Sequence, residues 1–537
     1  MSVYRLIRYG FWSVAAIAGI FIVLRTLLDP SSFPFSAKSP MNAEGCFGLA
    51  IITALAARAN ARDEKTEPHK PTPARLMVLG ALALGLLTAA AFWRALHFYF
   101  LSDDFVLVKA GNSSLGDLGA FFVGESGYGF YRPIAKLSLA LNSTWAAWHP
   151  PAWHASALLI HFANSYLVFL LALRLSVSPF AAFFAAALFS IHGTRPETAV
   201  WIAGRFDVLA TLFVLCGLLL FPPSLSAPKV RGNLYLAASL ACMVLGILSK
   251  ESAYAFPMLL VLALVTEQNL PRKRIGAVAL FFLVAAGLMA LRWILLGGIG
   301  GYRQFDTGQA KALTISVVAA SKVLLLRLWA VLFFPVNWSI RPGVMFAVLM
   351  AVYLISLVWL ALRRTDRRRL TFALGFVVLA SLPPLHLLLI GGDLEKSRFL
   401  YLPSAGFCLL LALASERLIG RARWIVPGVM LAFNLCALEH NLDAWEHASA
   451  KAESACAEAV NCLDSSTRKI VVAGLPPILG GVYFFGNGFP ECVEMRRGGN
   501  SIPVELQPGS QPRAQGDGVR RLWWDPARQE LRCMDPR

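Results

Sequence analysis

The chain has 537 residues, of which 57% are hydrophobic and 15% are charged, and its mean hydropathy is +0.60. A soluble protein of this length would carry roughly a quarter charged residues, so the composition excludes that class and indicates an integral membrane protein. The net charge of +18 does not indicate nucleic-acid binding. The basic residues gather at alternate ends of the apolar runs, as the positive-inside rule requires.

Apolar runs recur along the whole chain, and most are long enough to cross about 30 Å of hydrocarbon as a helix. Helices satisfy their own backbone polar groups in lipid, so repeated runs predict a helical bundle. About thirteen transmembrane helices are expected from run length. They are predicted near 8–28, 44–58, 76–97, 152–174, 178–192, 200–222, 233–249, 253–268, 276–296, 343–362, 370–390, 400–416 and 424–439.

The basic residues predict the orientation of the bundle. Arg5 and Arg8 place the N-terminus in the cytoplasm, and an odd number of spans leaves the C-terminal tail outside. The apolar segment 311–335 is predicted to be an outward-side or re-entrant helix, because counting it as a span would move the arginines of 363–369 outside. A pair of short half-spans is the alternative. The other predicted cytoplasmic stretches are 58–75, 229–231, 272–274 and 417–423.

The tail from about 441 to 537 differs from the rest, being polar and rich in Gly and Pro. Residues 470–472 and 481–485 are typical of short strands, with a turn at 486–488, so a small extracytoplasmic α/β domain is predicted. An even number of cysteines in an oxidising compartment predicts one or two disulfides, with the pairing open. The four tail cysteines are Cys456, Cys462, Cys492 and Cys533.

Two adjacent carboxylates, Asp103 and Asp104, follow the third predicted span at its outer mouth. Such charges are costly there unless they are hydrated, paired or useful. Neighbouring helical positions point about 100° apart, so one carboxylate can face a cavity while the other caps a helix or pairs with a cation. Juxtamembrane polarity with capping is the alternative. The following loop, with Glu125, Tyr131 and Arg132, has interfacial character and could cover a site at headgroup depth.

Further polar residues occur where topology does not demand them. Arg205 and Asp207 lie inside an apolar run, where charges usually pair or face an aqueous cavity. His154 and His161 share roughly one face of a span, and packed, hydrogen-bonded histidines are the alternative to ligands. The predicted outer turns also carry Glu197, Lys250, Glu251 and Arg398, so one membrane face collects them all. Carboxylates and cations at that depth suit a phosphate-bearing lipid and a hydroxyl acceptor.

These stretches resemble the GT-C glycosyltransferases. The acid pair is similar to the acidic motif of that fold group, and the order of the other motifs is similar to the protein O-mannosyltransferase branch, especially its transmembrane members with TPR repeats. The resemblance covers roughly residues 76–440, without TPR repeats and with two extra N-terminal spans. The matching stretches are 131–133, 154–161, 192–207, 248–251 and 398–404.

The resemblance implies an inverting hexosyltransferase that takes a sugar, mannose by analogy, from a polyprenyl-phosphate carrier. Asp103 or Asp104 would be the catalytic base, with Asp103 favoured. Arg205, Lys250 and Arg398, with Arg132 as a further candidate, would hold the phosphate of the donor and stabilise the leaving group. A divalent ion (Mg or Mn) bound by the acid pair is left open. The implied substrate-binding residues are Glu125, Tyr131, Arg132, His154, His161, Glu197, Arg205, Asp207, Lys250, Glu251, Arg398 and Tyr401.

The predicted fold class is therefore an α-helical polytopic membrane protein, GT-C-like, with a small C-terminal extracytoplasmic α/β domain. Its predicted parts are 1–75 with two extra helices and a cytoplasmic linker, 76–440 as the catalytic core, and 441–537 as the tail domain. The expected place is the inner or plasma membrane, and the expected partners are the lipid-linked donor, a hydroxyl acceptor (protein, glycan or lipid) and the bilayer, without nucleic acid. A lipid-linked-sugar transporter or flippase, or a non-catalytic scaffold, is the alternative, although no inverted repeat is present.

Overall fold

The computed structural model describes most of the chain. The described residues are 3–28, 40–60, 73–113, 118–123, 129–175, 177–226, 228–266, 275–302, 310–509, 511–513 and 516–534.

The molecule is a helical bundle followed by a small α/β unit. The bundle helices at the predicted span positions are Val3–Leu27, Met41–Ala57, Ala74–Ala91, Pro150–Arg174, Pro179–Ile191, Arg205–Ser226, Lys229–Ser249, Phe256–Thr266, Ile275–Leu296, Val344–Ala361, Arg367–Ser381, Tyr401–Ser415 and Ala422–Asn461. Within the described ranges, nine helices are long and apolar enough to cross a membrane, and three apolar helices are shorter. The predicted class, a polytopic α-helical membrane protein, is confirmed.

The last bundle helix links the two parts of the molecule. Ala422–Asn461 has 40 residues and continues past its internal Pro427. At 1.5 Å per residue it is about 60 Å long, twice the hydrocarbon thickness, so its second half leaves the bundle. The division proposed near residue 441 falls inside this helix and stays a prediction about domain organisation.

Short helices lie in the segments that connect the spans. They are Asp103–Ser113, Pro133–Ala146, Val317–Lys322 and Leu328–Phe333, the last two joined by a π-helical turn. The chain before and after the segment 317–333 contacts the turn 391–398. Before the segment, Lys311 N donates to Tyr302 O at 2.8 Å, and the Tyr302 hydroxyl accepts from Arg398 Nη2 at 3.4 Å. After the segment, Trp338 N donates to Gly392 O at 2.7 Å. A re-entrant helix needs both of its ends on the same side of the membrane. The re-entrant topology of the segment 311–335 stays a prediction.

The C-terminal unit contains a four-stranded mixed sheet. The strand order is Val504–Gln507, Lys469–Ala473, Val519–Asp525, Glu530–Cys533, with the first two contacts parallel and the last antiparallel. A hairpin of Ile478–Leu479 with Val482–Tyr483 and the helix Phe489–Arg496 complete the unit. The predicted small α/β unit is confirmed. Two disulfides are present, and the pairing that the sequence left open is Cys456–Cys492 and Cys462–Cys533.

The core of the C-terminal unit extends into the bundle. Phe484 and Trp524 of the unit share one buried apolar cluster with Leu101, Phe105 and Trp201, which lie in segments that connect the bundle helices. Because apolar surface is removed from water on both sides, the unit is held against the loop that carries the acid pair.

Candidate active site

The two adjacent aspartates have different surroundings. Asp104 is buried, and its Oδ2 accepts from Leu101 N at 3.2 Å while its Oδ1 accepts from Ala203 N at 3.1 Å. Burial raises the pKa of Asp104 well above its usual value, although these N–H groups oppose the shift. Asp103 is half-buried, and within the described residues its carboxylate has no hydrogen-bond or ion-pair partner. Asp103 is therefore the carboxylate of the pair that a ligand can use.

Glu197 is bound on all sides by the turn before the helix Tyr401–Ser415. Its Oε1 accepts from Lys396 N at 3.1 Å, and its Oε2 accepts from Ser397 Oγ at 2.8 Å and Arg398 N at 3.2 Å. The Arg398 guanidinium also donates to Glu197. Burial raises the pKa of Glu197, and the charge of Arg398 opposes this. Charge-assisted bonds of this kind fix the turn.

Aromatic rings enclose the other faces of Arg398. Its guanidinium carbon lies 4.7 Å from the ring centroid of Trp201, 4.8 Å from that of Phe399 and 5.2 Å from that of Tyr483. The rings of Trp201 and Tyr483 are stacked at 4.7 Å with planes 12° apart. Arg398 thus supports neighbouring groups instead of presenting an open cation.

A second buried ion pair joins Lys250 to Asp207, with the Lys250 ammonium 4.5 Å from the Phe399 ring centroid. Burial lowers the pKa of Lys250 to about 8, and Asp207 opposes this. Phe399 thereby lies between the two ion pairs. Glu197, Asp207, Lys250 and Arg398 are thus linked through Phe399, and their convergence on one membrane face with the acid pair stays a prediction.

Glu251 joins two arginines from different parts of the chain. Arg132 Nη2 donates to its Oε2 at 2.6 Å, and Arg292 Nη1 donates to its Oε1 at 2.8 Å. Burial disfavours the charged form of Arg132, but the attraction of Glu251 outweighs this effect and raises the pKa of Arg132 above its usual value. Arg292 is not among the site residues predicted from the sequence. It is the one charged side chain in the helix Ile275–Leu296, and a charge inside an apolar helix indicates a partner or a polar cavity, so the sequence could have identified it.

These groups border a cavity of about 370 Å³. Its polar end is formed by Arg132, Lys250, Glu251 and Arg292, and its walls are mainly apolar or aromatic. Wall residues include Phe130, Met258, Met289, Tyr302, Leu382, Leu387 and Phe399. Arg132, Lys250 and Arg292 carry three positive charges. The carboxylates of Glu251 and Asp207 balance two of them, so one net positive charge remains. Volumes of this order are typical of small-ligand sites.

Three of the predicted site residues are instead packed inside the bundle. His154 Nδ1 lies 2.9 Å from Val200 O, and its Nε2 lies 3.0 Å from Phe98 O. His161 Nδ1 lies 2.7 Å from the Tyr401 hydroxyl. None of these side chains lines the cavity, so the alternative reading of packed, hydrogen-bonded histidines describes their surroundings.

The remaining predicted residues lie elsewhere. The Arg205 guanidinium donates to Ser156 Oγ and, at 3.4 Å, to Trp153 O, and it does not line the cavity. Tyr131 donates its hydroxyl to Phe122 O at 3.2 Å. Glu125 lies outside the described residues. Of the four cations predicted to hold phosphate, only Arg132 and Lys250 border the cavity.

The acid pair does not fit a dedicated divalent-ion site. Across the part of the chain that the structure describes, no group of three or more His, Cys, Asp or Glu side chains could hold a metal ion. Both oxygens of Asp104 already accept backbone N–H groups. Mg²⁺ and Mn²⁺ prefer several oxygen ligands, and Asp103 alone does not provide them.

Comparisons with known proteins identify relatives by sequence. Protein O-mannosyl-transferase TMTC4 of Homo sapiens is 27% identical over 402 residues, covering 62% of this chain and 54% of the relative. TMTC3 of Mus musculus is 23% identical over 416 residues, covering 67% and 45%. The chain spans about half the length of the curated relatives it matches. No family model matches the chain.

Among solved structures, ArnT from Cupriavidus metallidurans in the apo state aligns with a TM-score of 0.40 and 15% identity, covering 83% of this chain and 87% of ArnT. The same protein bound to undecaprenyl phosphate aligns with a TM-score of 0.37. The sequence relatives carry the conclusion: the chain is similar to the transmembrane protein O-mannosyl-transferases over about three fifths of its length, and the resemblance seen in its motifs is confirmed.

Proposed function

We propose that the protein is a membrane glycosyltransferase that transfers a sugar from a polyprenyl-phosphate donor to a hydroxyl acceptor at the outer membrane face. The observation that carries the proposal is the cavity of about 370 Å³, whose apolar walls lead to Arg132, Lys250 and Arg292. An amphiphile with an isoprenoid chain and one phosphate has the matching chemistry. Apolar walls accept the chain, and guanidinium groups bind phosphate oxygens in bidentate fashion.

Asp103 is proposed as the general base. Its carboxylate is half-buried and unpartnered within the described residues, so it can accept the proton of an acceptor hydroxyl. The acceptor oxygen forms a bond to the anomeric carbon while the bond from that carbon to the phosphate oxygen breaks. A single displacement of this kind inverts the anomeric configuration. The proton ends on Asp103, and the electron pair ends on the phosphate.

The cavity cations are proposed to stabilise the leaving phosphate. Negative charge develops on the phosphate oxygen as the sugar departs, and fixed positive groups at a dry site stabilise that charge strongly. Arg132 and Arg292 are held in place by their shared bonds to Glu251, and Lys250 by Asp207. In this proposal Glu197 and Arg398 orient the neighbouring turn and do not touch the donor.

Mannose is the first candidate for the sugar, because the curated relatives are named protein O-mannosyl-transferases. A protein hydroxyl is, for the same reason, the first acceptor to test. Because the chain spans about half of those relatives, another hexose and a glycan or lipid acceptor remain within the proposal. The bacterial inner membrane or a plasma membrane, with the tail outside, is the proposed location.

The test is sugar transfer by purified protein from radiolabelled polyprenyl-phosphate sugars, in the presence of an acceptor-containing extract. Arg132→Gln and Arg292→Gln should raise the apparent donor KM by about tenfold or more, because each removes a charge-assisted contact to phosphate. The acceptor KM should change little. A parallel reaction with chelator reports any metal dependence separately.

Arg94→Gln is the matched control. Arg94 is also an ion-paired arginine, bonded to Glu439, Asp443 and Glu446, but it does not line the cavity. Its donor KM should equal that of the wild type. Equal donor KM values in all three variants would remove the phosphate assignment. Movement of a labelled lipid-linked sugar across vesicles without any transfer would instead favour a flippase.

A further inference from the structure

The C-terminal unit contacts the proposed site residues through residues 480–488, here called the docking segment. The helix that follows adds an ion pair between Glu494 and Lys109, at 2.8 Å. The docking segment begins within the hairpin Ile478–Tyr483 and ends where the helix Phe489–Arg496 starts. Its residues contact two separate parts of the membrane bundle, the turn 391–398 and the loop that carries the acid pair. Nothing in the proposed chemistry above uses these contacts.

On one side, the docking segment contacts the turn that carries Arg398. The Tyr483 ring stacks on Trp201 and borders the Arg398 guanidinium, and its hydroxyl donates to Glu395 Oε1 at 3.0 Å. Asn337 Nδ2 donates to Gly480 O at 2.8 Å. Stacked rings with a cation over their faces attract one another, so these contacts hold the docking segment against the turn.

On the other side, the docking segment holds the loop of the acid pair. Ser102 N donates to Phe484 O at 2.9 Å, and Ser102 Oγ donates to Asn487 Oδ1 at 3.3 Å. The rings of Phe105 and Phe485 are stacked at 5.9 Å with planes 16° apart. Asp103 lies in the chain between these two anchored residues, so its position depends on the docking segment.

Two glycines permit this close approach. Gly481 has a φ of +81°, and a Cβ there would lie 2.7 Å from Asp393 O. Gly488 has a φ of +83°, and a Cβ there would overlap the carbonyl oxygen of Ser102. Both positions require a residue without a side chain, because other residues rarely adopt this conformation.

We propose that the docking segment is part of the active site, where it forms the acceptor-side wall and holds Asp103 in register with the turn of Arg398. Tyr483 is then a positioning residue, acting through Trp201, Arg398 and Glu395. The inference rests on the proposed function, which assigns Asp103 as base. It adds that the tail and the bundle form one catalytic unit.

The two disulfides provide a matched comparison. Cys456–Cys492 joins the long helix to the helix Phe489–Arg496, which begins directly after the docking segment. Cys462–Cys533 joins the end of the long helix to the outermost strand, Glu530–Cys533. The second closes the longer loop, with a sequence separation of 71 against 36, so it should stabilise the fold at least as much.

The first test measures kcat and both KM values for Tyr483→Leu and Tyr483→Phe. Leu removes the stacked ring, so kcat should fall about tenfold or more and acceptor KM should rise, while donor KM stays unchanged. Phe keeps the ring and should recover most of the activity. A Tyr483→Leu enzyme with wild-type kcat and acceptor KM, or one in which only donor KM changes, would overturn the inference.

The second test compares the double variants Cys456→Ala/Cys492→Ala and Cys462→Ala/Cys533→Ala by thermal unfolding and by transfer. We expect the first pair to lose more activity even though its melting temperature falls no further than that of the second. Activity that follows melting temperature in both double variants would show that the disulfides only stabilise the tail, against the inference.

The two proposals fail in different ways. A wild-type enzyme that transfers no sugar would overturn the proposed function and this inference with it. An active wild-type enzyme whose variants are unaffected would overturn this inference alone.

Discussion

Asp103 and Asp104 are adjacent in the chain, yet their carboxylates face different environments. Asp104 is held by two backbone N–H groups in a buried position, and Asp103 is half-buried without a partner among the described residues. The first arrangement fixes the chain just before the helix Asp103–Ser113 against the segment of Ala203, and the second leaves a carboxylate able to accept a proton.

Asp103→Asn should therefore abolish transfer with little change in melting temperature, because an amide has nearly the same shape but cannot serve as the base. Asp104→Asn should lower the melting temperature, since an amide nitrogen in place of one carboxylate oxygen cannot accept an N–H group. Both are measured by transfer assay and thermal unfolding in detergent. Wild-type transfer by Asp103→Asn would remove the proposed base.

Arg292 and Arg205 show how much the residue type alone predicts about a site. A charged side chain inside an apolar helix indicates a partner or a cavity, and this rule applies to Arg292 as well as to Arg205. The rule does not say which of these two outcomes occurs. Arg292 borders the cavity, whereas Arg205 donates to Ser156 and Trp153.

At the scale of elements, the extra helix Met41–Ala57 packs closely on the segment 317–333. A Cβ at Gly45 would lie 2.7 Å from Leu326 O, and a Cβ at Gly48 would lie 2.8 Å from the Phe333 ring. Small residues let helices approach closely in membranes, where packing is a main source of association. The second predicted extra helix is therefore an integral part of the bundle.

Gly45→Ala should destabilise the protein by about 1–3 kcal/mol, because the added methyl group meets backbone that cannot move cheaply. Gly287→Ala is the control, since a Cβ at Gly287 has no neighbour within 4 Å and alanine favours the helix. Thermal unfolding in detergent should show a lower melting temperature only for Gly45→Ala. Equal melting temperatures would contradict the close packing.

At the scale of the whole molecule, one end of the bundle carries the site and the other carries basic loops. The two-residue strand Ala59–Asn60 pairs in parallel with Thr365–Asp366, beside the arginines of 363–369. From the positive-inside rule we propose that this end faces the cytoplasm, so that the cavity and the C-terminal unit face the outer side.

This orientation predicts a labelling pattern for single introduced cysteines, in a chain whose five free cysteines are replaced by alanine. Asn500→Cys in the tail should react with a membrane-impermeant maleimide in intact cells, and Lys229→Cys should not. Both positions are exposed, so both should react after permeabilisation. The reverse pattern in intact cells would overturn the assigned orientation.

The helical membrane class, the approximate positions of the helices and the small α/β tail could be predicted from the amino-acid sequence, because they depend on the length and periodicity of apolar runs. The topology also predicted that Glu197, Asp207, Lys250 and Arg398 share one membrane face, and their contacts in the structure are compatible with this prediction. The three-dimensional contacts were needed to show which oxygens of the acid pair are occupied, which cations border the cavity, how the cysteines pair, and that residues 480–488 contact the loop of the acid pair. These features depend on distances between residues far apart in the chain, and topology limits those distances to one membrane face without fixing the individual contacts.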